Sequence, residues 1–541
     1  MEADIVFING EVITVDPAQT IQEGVAVKGN LIIDTGTSDE MKEHIGSKTK
    51  VIDLKGRSLL PGFIDAHLHL TIYGTNLLGA SCVDPHIQSL KDIFNELRKK
   101  VENTGVGEWI RAWGFNEHEV EERRFPTREE LDALSMDHPI VIIRTCNHTS
   151  IANSKALEMA GFTNQSVNPE GGIVEKDDFG ELTGRLMESA HMQLFAEASF
   201  SDEELKRAMK LAADAFVNVG ITSIHDAGGY GSGPDILRVM QQSSMSGDIK
   251  VRVYAMIGSL TDSKTFIRRM VDAGVVTGLG DNRFKIGPAK LFTDGSSTGP
   301  TIATRQPYDS DPENKGILYY RQEELDAVLG EAHKKGFQIT AHAQGDRAIE
   351  MVLNCIERAL FEHPRDDHRH RIEHAGVASP DLQKRMKQLN VIAIPNPAFM
   401  YMNGELYVEN YGERVQVMYP ARDYIDASIP CAFASDTPVI QCDPLLGIHA
   451  AVNRKTKSGQ GVGVRQSIDV LEAVKAYTWM GAYASFEEQS KGSIEIGKLA
   501  DLVVLNESLL AVEKEEIKDL HVDMTMIDGE ILFEKKEMYV N

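Results

Sequence analysis

Apolar and polar positions along the chain predict eight strands separated by helices. Apolar runs place the strands at 59–69, 221–227, 251–257, 284–293, 337–343, 371–374, 391–395 and 432–435. Amphipathic spacing between them predicts helices, for example at 203–219, 322–335, 348–361 and 380–389. The count favours a (β/α)8 TIM-like barrel in the α/β class. A doubly wound open sheet is the alternative, but no Gly-rich phosphate loop follows an early strand.

The two ends of the chain share a second pattern, of short strands separated by turn residues. Such segments lie at 3–8, 11–15, 24–27 and 500–505, and Asp528-Gly529 predicts the turn of a hairpin over 522–533. Neither end alone has enough apolar surface to fold. We therefore expect residues 1–58 and 485–541 to form one small composite β-sandwich domain, with the barrel over 59–484.

A long insertion separates the first and second barrel strands. A βα unit needs about 30 residues, so residues 75–200 exceed a connection, and they contain predicted helices at 90–101 and 128–134 and a strand at 140–144. Insertions after barrel strands cover the active-site mouth, which predicts a lid or substrate-binding lobe. Trp113 and His148 in this insertion are either lobe core or substrate contacts.

Charge narrows the classes of partner. Among 541 residues, 81 Asp and Glu oppose 56 Lys and Arg, which gives a net charge of −25. So acidic a surface argues against nucleic-acid and membrane binding, and we expect a small-molecule substrate. No apolar run approaches the roughly 18–20 residues of a membrane span, and the acidic start Met1-Glu2-Ala3-Asp4 is not that of a secretory signal. We expect a cytoplasmic protein and consider a homodimer.

Cysteine usage also favours a cytoplasmic protein. The five cysteines, at 82, 146, 355, 431 and 442, are odd in number, widely spaced and without a C-x-x-C pair. This pattern argues against a disulfide framework or a cysteine-based zinc site. We expect buried, reduced thiols.

Histidines at strand ends carry the candidate chemistry. His67 and His69 follow an apolar run, and residues i and i+2 of a strand share a face, so both would project into the barrel. Two adjacent imidazoles suit a divalent metal. Three further candidate ligands close the fifth, sixth and eighth strands, where barrels place catalytic groups: His342, His374 and Asp436. Singly, each is more often a core histidine or a capping aspartate; together they favour a metal site.

Lys290, on the fourth strand, is a candidate sixth group. A buried lysine beside cations loses its proton readily and could take up carbon dioxide, forming a carbamate that bridges two metals. The alternative is an interior lysine paired with Asp294 or Asp436. A second H-x-H, His368 and His370, is surrounded by charged residues and predicts a solvated strand entry, whereas His225 predicts a core or supporting role.

This set of residues resembles the amidohydrolase superfamily of metal-dependent hydrolases, whose pattern is H-x-H on strand one, Lys on four, His on five and six, and Asp on eight. Within it the chain resembles the amidohydrolase family 3 branch that includes N-substituted formamide deformylase. The motifs that carry this resemblance are WGFN at 113–116, RFPTREELD at 124–132, NHT at 147–149, NSKAL at 153–157, HAQGDRA at 342–348 and SDTP at 435–438. One departure is Asn147, where the branch more often has glycine.

The resemblance implies a ligand set and a reaction. His67, His69 and Asp436 would hold one divalent metal, and His342 and His374 a second, with N-carboxylated Lys290 between them. One or two ions are expected, and zinc is preferred because the donors are mostly imidazoles; Mn, Fe and Co are compatible. A metal-activated hydroxide would attack an amide-type, non-peptide carbon–nitrogen bond, with Asp436 moving the proton. The candidate substrate contacts are Trp113, Asn116, His148, Asp294 and Arg305.

Two other functions stay open. The first is a hydrolase of the same fold that acts on an ester, a cyclic amide or an imine, because the ligand set does not separate these bonds. The second is a non-catalytic regulatory homologue. A pseudoenzyme is expected to have lost ligands, whereas this sequence has a candidate for each position.

Overall fold

The computed structural model describes residues 1–83, 87–145, 149–169, 171–229 and 233–535. The chain divides into two compact units, one of Met1–Leu70 with Ala213–Asn541 and one of Thr71–Ala212. The predicted insertion, 75–200, falls within the second unit. Among the residues described, none of the helices is both long and apolar enough to cross a membrane.

Seven parallel strands form the central sheet of the first unit. In pairing order they are Phe63–Leu68, Ile221–Asp226, Arg252–Ile257, Phe284–Phe292, Ile339–Ala343, Arg371–His374 and Ile392–Ile394. Parallel pairing in chain order means that every strand presents its carboxyl end at the same rim. Side chains at these strand ends therefore converge.

The segment 431–436 closes this sheet into a barrel, as the predicted eighth strand should. On one side Ala432 N donates to Ala393 O at 3.0 Å, and on the other Ala66 N donates to Phe433 O at 3.1 Å. Asp436 N donates to His67 O at 2.8 Å, which ties the end of the segment to the first strand. With the terminal sheets described below, this architecture confirms the predicted fold class.

The predicted strand at 59–69 is wrong in one respect, because it is two strands in two sheets. Ser58–Pro61 belongs to a terminal sheet and Phe63–Leu68 to the barrel. Pro61 has no amide hydrogen to extend a ladder, and at Gly62 a Cβ atom would collide with the side chain of Thr222. Glycine therefore allows the close approach at which the chain passes from one sheet to the other.

Helices surround the barrel. Asp346–Glu362 shows why they form: its buried side chains include Ile349, Val352, Leu353 and Ile356, the spacing of one apolar face. Helix Asp202–Asn218 crosses the boundary between the two units and leads into the second barrel strand. The helices that follow in the first unit are Pro234–Ser246, Ser263–Asp272, Gln322–Lys334, Asp346–Glu362, Pro380–Gln388, Pro397–Tyr411, Ala421–Asp426, Pro444–Asn453, Val470–Ala476 and Trp479–Ala484. Short 3-10 turns lie at Gly412–Val417, Val464–Gln466 and Lys514–Asp519.

The terminal segments form two further sheets. The first contains Leu31–Gly36, Gly24–Lys28, Ile5–Ile8 and Lys50–Asp53, and helix Ser38–Lys42 follows its edge strand. The second mixes both ends of the chain, in the order Glu530–Glu534, Val522–Ile527, Leu502–Leu505, Ser58–Pro61, Glu11–Ile13 and Ile21–Gln22. One apolar core is shared by the two sheets, with Phe7 and Val25 packed in the same cluster as Val504 and Met524.

A buried ion pair fastens the C-terminal strands to the barrel. Arg252, on the third barrel strand, donates from Nε to Asp501 Oδ2 at 2.7 Å and from Nη2 to Asp501 Oδ1 at 2.9 Å. Both side chains are almost fully buried. Asp528, in the turn of the predicted hairpin, accepts from the same guanidinium at 2.5 Å.

The second unit has its own mixed sheet. Its strands pair in the order Gly172–Lys176, Leu182–Glu188, Thr149–Ala152, Ile140–Arg144, Ile110–Phe115 and Ala80–Ser81. Its helices are Leu70–Leu78, which begins at the boundary, and Leu90–Glu102, Arg128–Asp132, Ser154–Met159 and Ser189–Glu197. Ile110, Ile140, Ile142 and Ile151 contribute to an apolar core of this unit alone.

Candidate metal centre

Three of the predicted ligands meet at the rim of the barrel. Potential ligand atoms of His67, His69 and Asp436 all lie within 4.8 Å of one another. The Asp436 Oδ1 atom is 3.4 Å from His67 Nε2 and 3.3 Å from His69 Nε2. All three residues are buried. The first strand and the closing segment 431–436 are neighbours, so the fold itself brings these side chains together.

Hydrogen bonds turn the two imidazoles towards Asp436. His67 Nδ1 donates to Glu373 Oε2 at 2.5 Å, and His69 Nδ1 donates to the carbonyl oxygen of Gly228 at 2.5 Å. A carbonyl only accepts, so His69 carries a proton on Nδ1, and its Nε2 atom faces the Asp436 carboxylate. Metal-ligating histidines are held in this way by a carboxylate or carbonyl behind the ring.

His342 and His374 lie beside this group. Their ring centroids are 4.6 Å apart, and the His374 ring is 4.8 Å from that of His67. His342 Nδ1 donates to Asp294 Oδ1 at 2.9 Å, and His374 Nδ1 donates to Asn396 Oδ1 at 2.7 Å. All four histidines thus have Nδ1 engaged in a hydrogen bond within the barrel rim.

Lys290 is enclosed between the same strands. Its Nζ atom lies 3.2 Å from His67 Nε2 and 3.2 Å from the carbonyl oxygen of Ala227. Burial lowers the Lys290 pKa to about 8, although the carboxylates of Glu373 and Asp436 act against it. A fraction of the amine is therefore uncharged near neutral pH, which is the form that reacts with carbon dioxide.

The charges at the rim suit ligation. Burial raises the pKa of Asp436, but His374, His69 and His67 outweigh it and hold that pKa well below its usual range. Burial lowers the pKa of His374 to about 4. At neutral pH the centre therefore offers an ionised carboxylate and an uncharged imidazole, the states in which both side chains bind metals.

The backbone is strained at two of these residues. His374 has a φ of +69° and Asp436 a φ of +64°, which is the left-handed region that residues other than glycine seldom adopt. Such conformations cost roughly 1–3 kcal/mol each and concentrate at functional sites. The two strand ends are thus bent where the candidate ligands project.

Asp294 and Arg305 both have hydrogen-bond or ion-pair partners within the protein. Asp294 Oδ1 accepts from His342 and Gln344 N, and its Oδ2 accepts from the amides of Ala303 and Gly345. These contacts favour a role in orienting His342. The Arg305 guanidinium instead pairs with Glu350 and Asp381, on the helices after the fifth and sixth strands. A substrate contact by either residue stays a prediction.

The predicted contacts in the insertion belong to the second unit. Trp113 is half-buried on strand Ile110–Phe115, and its Nε1 has no hydrogen-bond partner among the described residues. Asn116 follows that strand and accepts from His118 N at 3.1 Å. His148 lies outside the described residues. A role for these three in substrate binding stays a prediction.

The interpretation of His368 and His370 as a solvated strand entry is wrong. His370 is fully buried and His368 is 3% exposed. His370 Nε2 donates to His333 Nδ1 at 2.9 Å, and His368 Nε2 donates to Leu389 O at 2.9 Å. The charged neighbours suggested that both histidines are solvent-exposed. The charge of Arg369 is instead paired with Asp367 and Glu488.

Sequence reasoning also missed a buried ion pair behind His67. Arg371 and Glu373 are both fully buried on the sixth strand, and Arg371 Nε donates to Glu373 Oε1 at 2.8 Å. The sequence does contain a signal for this pair. Arg371 and Glu373 are two positions apart, and positions i and i+2 of a strand share a face. His225, whose Nδ1 accepts from Arg371 Nη1 at 2.8 Å, lies next to this pair.

Comparison with known proteins now decides the family. The sequence profile of the amidohydrolase family matches residues 50–533. The chain belongs to the amidohydrolase family. As an amidohydrolase it is a hydrolase that acts on carbon–nitrogen bonds.

Two curated amidohydrolase relatives match over almost their whole length. The putative amidohydrolase YtcJ of Bacillus subtilis is 30% identical over 528 residues, which cover 95% of this chain and 96% of the relative. N-substituted formamide deformylase of Arthrobacter pascens is 29% identical over 548 residues, 98% of each chain. Among solved structures, an uncharacterised metal-dependent hydrolase from Pyrococcus horikoshii OT3 superposes with a TM-score of 0.79 at 27% identity, over 94% of this chain and 99% of the other.

The donor set of this amidohydrolase fits a divalent metal. His67, His69 and Asp436 combine two oriented imidazoles with an ionised carboxylate. Imidazole and carboxylate together suit first-row divalent ions. The residues present are thus those that such an ion requires.

Proposed function

We propose that this chain is a metal-dependent hydrolase that cleaves an amide-type carbon–nitrogen bond other than a peptide bond. The observation that carries the proposal is the convergence of His67, His69 and Asp436, with the Nδ1 atoms of both rings already engaged. Their Nε2 atoms both face Asp436 Oδ1. Family membership supports the same reaction class.

In this proposal His67, His69 and Asp436 would hold one divalent ion, and His342 and His374 would hold a second, with Lys290, once N-carboxylated, as a further ligand. Zinc is the ion we propose because imidazole nitrogens dominate the donor set. When bound, such an ion polarises a carbonyl group and lowers the pKa of water towards neutrality.

Asp436 is proposed to move the proton. Its carboxylate is ionised, so one oxygen can accept a proton from the attacking water and deliver it to the leaving nitrogen. An amide nitrogen leaves poorly unless it is protonated. Burial holds the pKa of His374 at about 4, so its imidazole is uncharged at neutral pH and is in the state that ligates a metal.

The substrate class we favour is an N-substituted formamide or a related small acyclic amide. The support is the relative named N-substituted formamide deformylase, which aligns with 98% of this chain. Hydrolysis of an ester, cyclic amide or imine is the second candidate. A cytoplasmic location and a homodimer stay predictions from the sequence.

Metal analysis tests the proposal directly. Protein purified without chelators should contain at least one divalent ion per chain, and prolonged dialysis against a chelator should remove the ion together with the activity. Activity should be assayed on N-substituted formamides, N-acyl amino acids, hydantoins and simple esters, before dialysis and after zinc is restored. Substantially less than one ion per chain, or turnover that survives complete metal removal, would refute the proposal.

A further inference from the structure

We propose that the Arg371–Glu373 ion pair is a positioning device that fixes His67 as a metal ligand, an inference that rests on the proposed metal-dependent function. Neither residue offers an atom to the Asp436 side of the rim, and neither is a candidate ligand. They act through His67 and the strand that carries it.

Glu373 holds the imidazole ring. Its carboxylate is fully buried, and Oε2 accepts from His67 Nδ1 at 2.5 Å, while Thr340 Oγ1 donates to Oε1 at 2.5 Å. A ring turned by 180° would present a carbon atom to the carboxylate and lose a charge-assisted hydrogen bond. Glu373 therefore selects the ring orientation that directs Nε2 to the metal position.

Arg371 holds that acceptor in place. Its Nε and Nη2 atoms donate to the two carboxylate oxygens, each at 2.8 Å. This bidentate contact fixes the plane of the carboxylate, so that Oε2 faces His67 Nδ1.

Arg371 also fixes the backbone of the first strand. Its Nη2 atom donates to the carbonyl oxygen of Ala66 at 2.6 Å, one residue before His67. Its Nη1 atom donates to His225 Nδ1 at 2.8 Å, so His225 holds the guanidinium from the second strand. The pair on the sixth strand thus constrains both the main chain and the side chain of His67.

Stability alone does not account for such a pair. Replacing a buried ion pair with apolar residues of similar volume is often neutral or stabilising, because desolvation offsets the attraction between the charges. What apolar residues cannot supply is a directed acceptor for His67 Nδ1. Among the rim histidines, His69 and His374 are held by uncharged oxygens, and the carboxylate behind His342 has no arginine on it in the contacts described.

The test compares three variants of the full-length protein. Glu373→Gln removes the charge of the acceptor, and the double variant Arg371→Met with Glu373→Leu removes both charges together, which protects the fold if the single change leaves Arg371 unpaired. The matched control is Asp501→Asn. It breaks the Arg252–Asp501 pair, which is also buried and bidentate but contains no neighbour in sequence of a candidate ligand. Zinc affinity is measured by competition with a chromophoric chelator, and the visible spectrum is recorded after cobalt(II) substitution.

Loss of a group that orients a metal ligand typically costs 10–100-fold in metal affinity. We expect about that loss in both Arg371–Glu373 variants, with an altered cobalt spectrum, and wild-type zinc affinity and spectrum in Asp501→Asn. Unchanged zinc affinity in the folded double variant would overturn the inference, and so would an equal loss in Asp501→Asn. A wild-type protein that binds no metal would instead refute the proposed function.

Discussion

Asp436 is the residue to which the proposed reaction assigns the proton transfer. Asn at this position keeps the shape and one oxygen, but it cannot accept a proton, and general acid–base catalysis contributes about 10²–10⁴-fold. Asp436→Asn should therefore lower kcat by about that factor while the protein stays folded. Steady-state kinetics, metal content and thermal unfolding measure the three quantities.

The matched control for Asp436 is Asp443→Asn in the same connecting segment. Asp443 caps helix Pro444–Asn453 by accepting from Leu445 and Leu446 N, and Asn caps helices as well as Asp does. This variant should keep near wild-type turnover. Near wild-type kcat in Asp436→Asn would remove that residue from the proton transfer.

Buried histidines away from the metal centre should make folding pH-dependent. Burial lowers the pKa of His368 to about 4 and that of His370 well below its ordinary value. Between pH 6.5 and 4 the unfolded chain takes up protons that the folded protein does not, so stability falls as the pH falls. For His368 alone the loss is about 3 kcal/mol.

Urea unfolding at a series of pH values tests this expectation. In His368→Gln the decline of the unfolding free energy from pH 6.5 to pH 4 should be shallower than in the wild type by about that amount. His521→Gln, at a half-exposed histidine, is the control and should leave the slope unchanged. Parallel slopes for the wild type and His368→Gln would contradict the assignment.

At the scale of elements, the ion pair that links the C-terminal strands to the barrel should contribute more to the free energy of unfolding than an exposed ion pair does. Asp501→Asn leaves the buried guanidinium of Arg252 without its bidentate partner, and breaking a buried pair costs about 3 kcal/mol or more. The free energy of unfolding in urea should fall accordingly. Asp519→Asn removes an exposed pair with Lys518 and should change stability by less than about 0.5 kcal/mol; equal effects would show that Asp501 does not fasten the sheets.

The same scale shows what the sequence could and could not predict. His342 and His374 were predicted correctly at the ends of their strands because apolar runs define barrel strands, and strand ends share a rim. The Arg371–Glu373 pair was missed because two charges in a four-residue strand look solvated until a partner strand is known. The break at Gly62 was missed for a related reason: one continuous apolar run is compatible with two sheets.

At the scale of the whole molecule, the residues that carry out the reaction and those that determine substrate preference should belong to different units. The candidate ligands all belong to the first unit, whereas Trp113 belongs to the second. Trp113→Ala should therefore change the ratios of kcat/KM among substrates, with metal content unchanged. Phe179→Ala, at an exposed ring of the same unit, is the control. An unaltered order of substrate preference in Trp113→Ala would make that residue part of the unit's core only.

The mixed terminal sheet has a consequence for synthesis of the protein on the ribosome. Leu59 pairs with Val504, so its partner is made roughly 440 residues later, which takes about 20–90 s at 5–20 residues per second. Throughout that interval the apolar edge Ser58–Pro61 has no neighbour on that side, and Asp436 is also late to emerge. During this interval the nascent chain therefore exposes an unpaired apolar strand directly before His67 and His69. Chaperone binding to that strand during translation should determine the yield of folded protein.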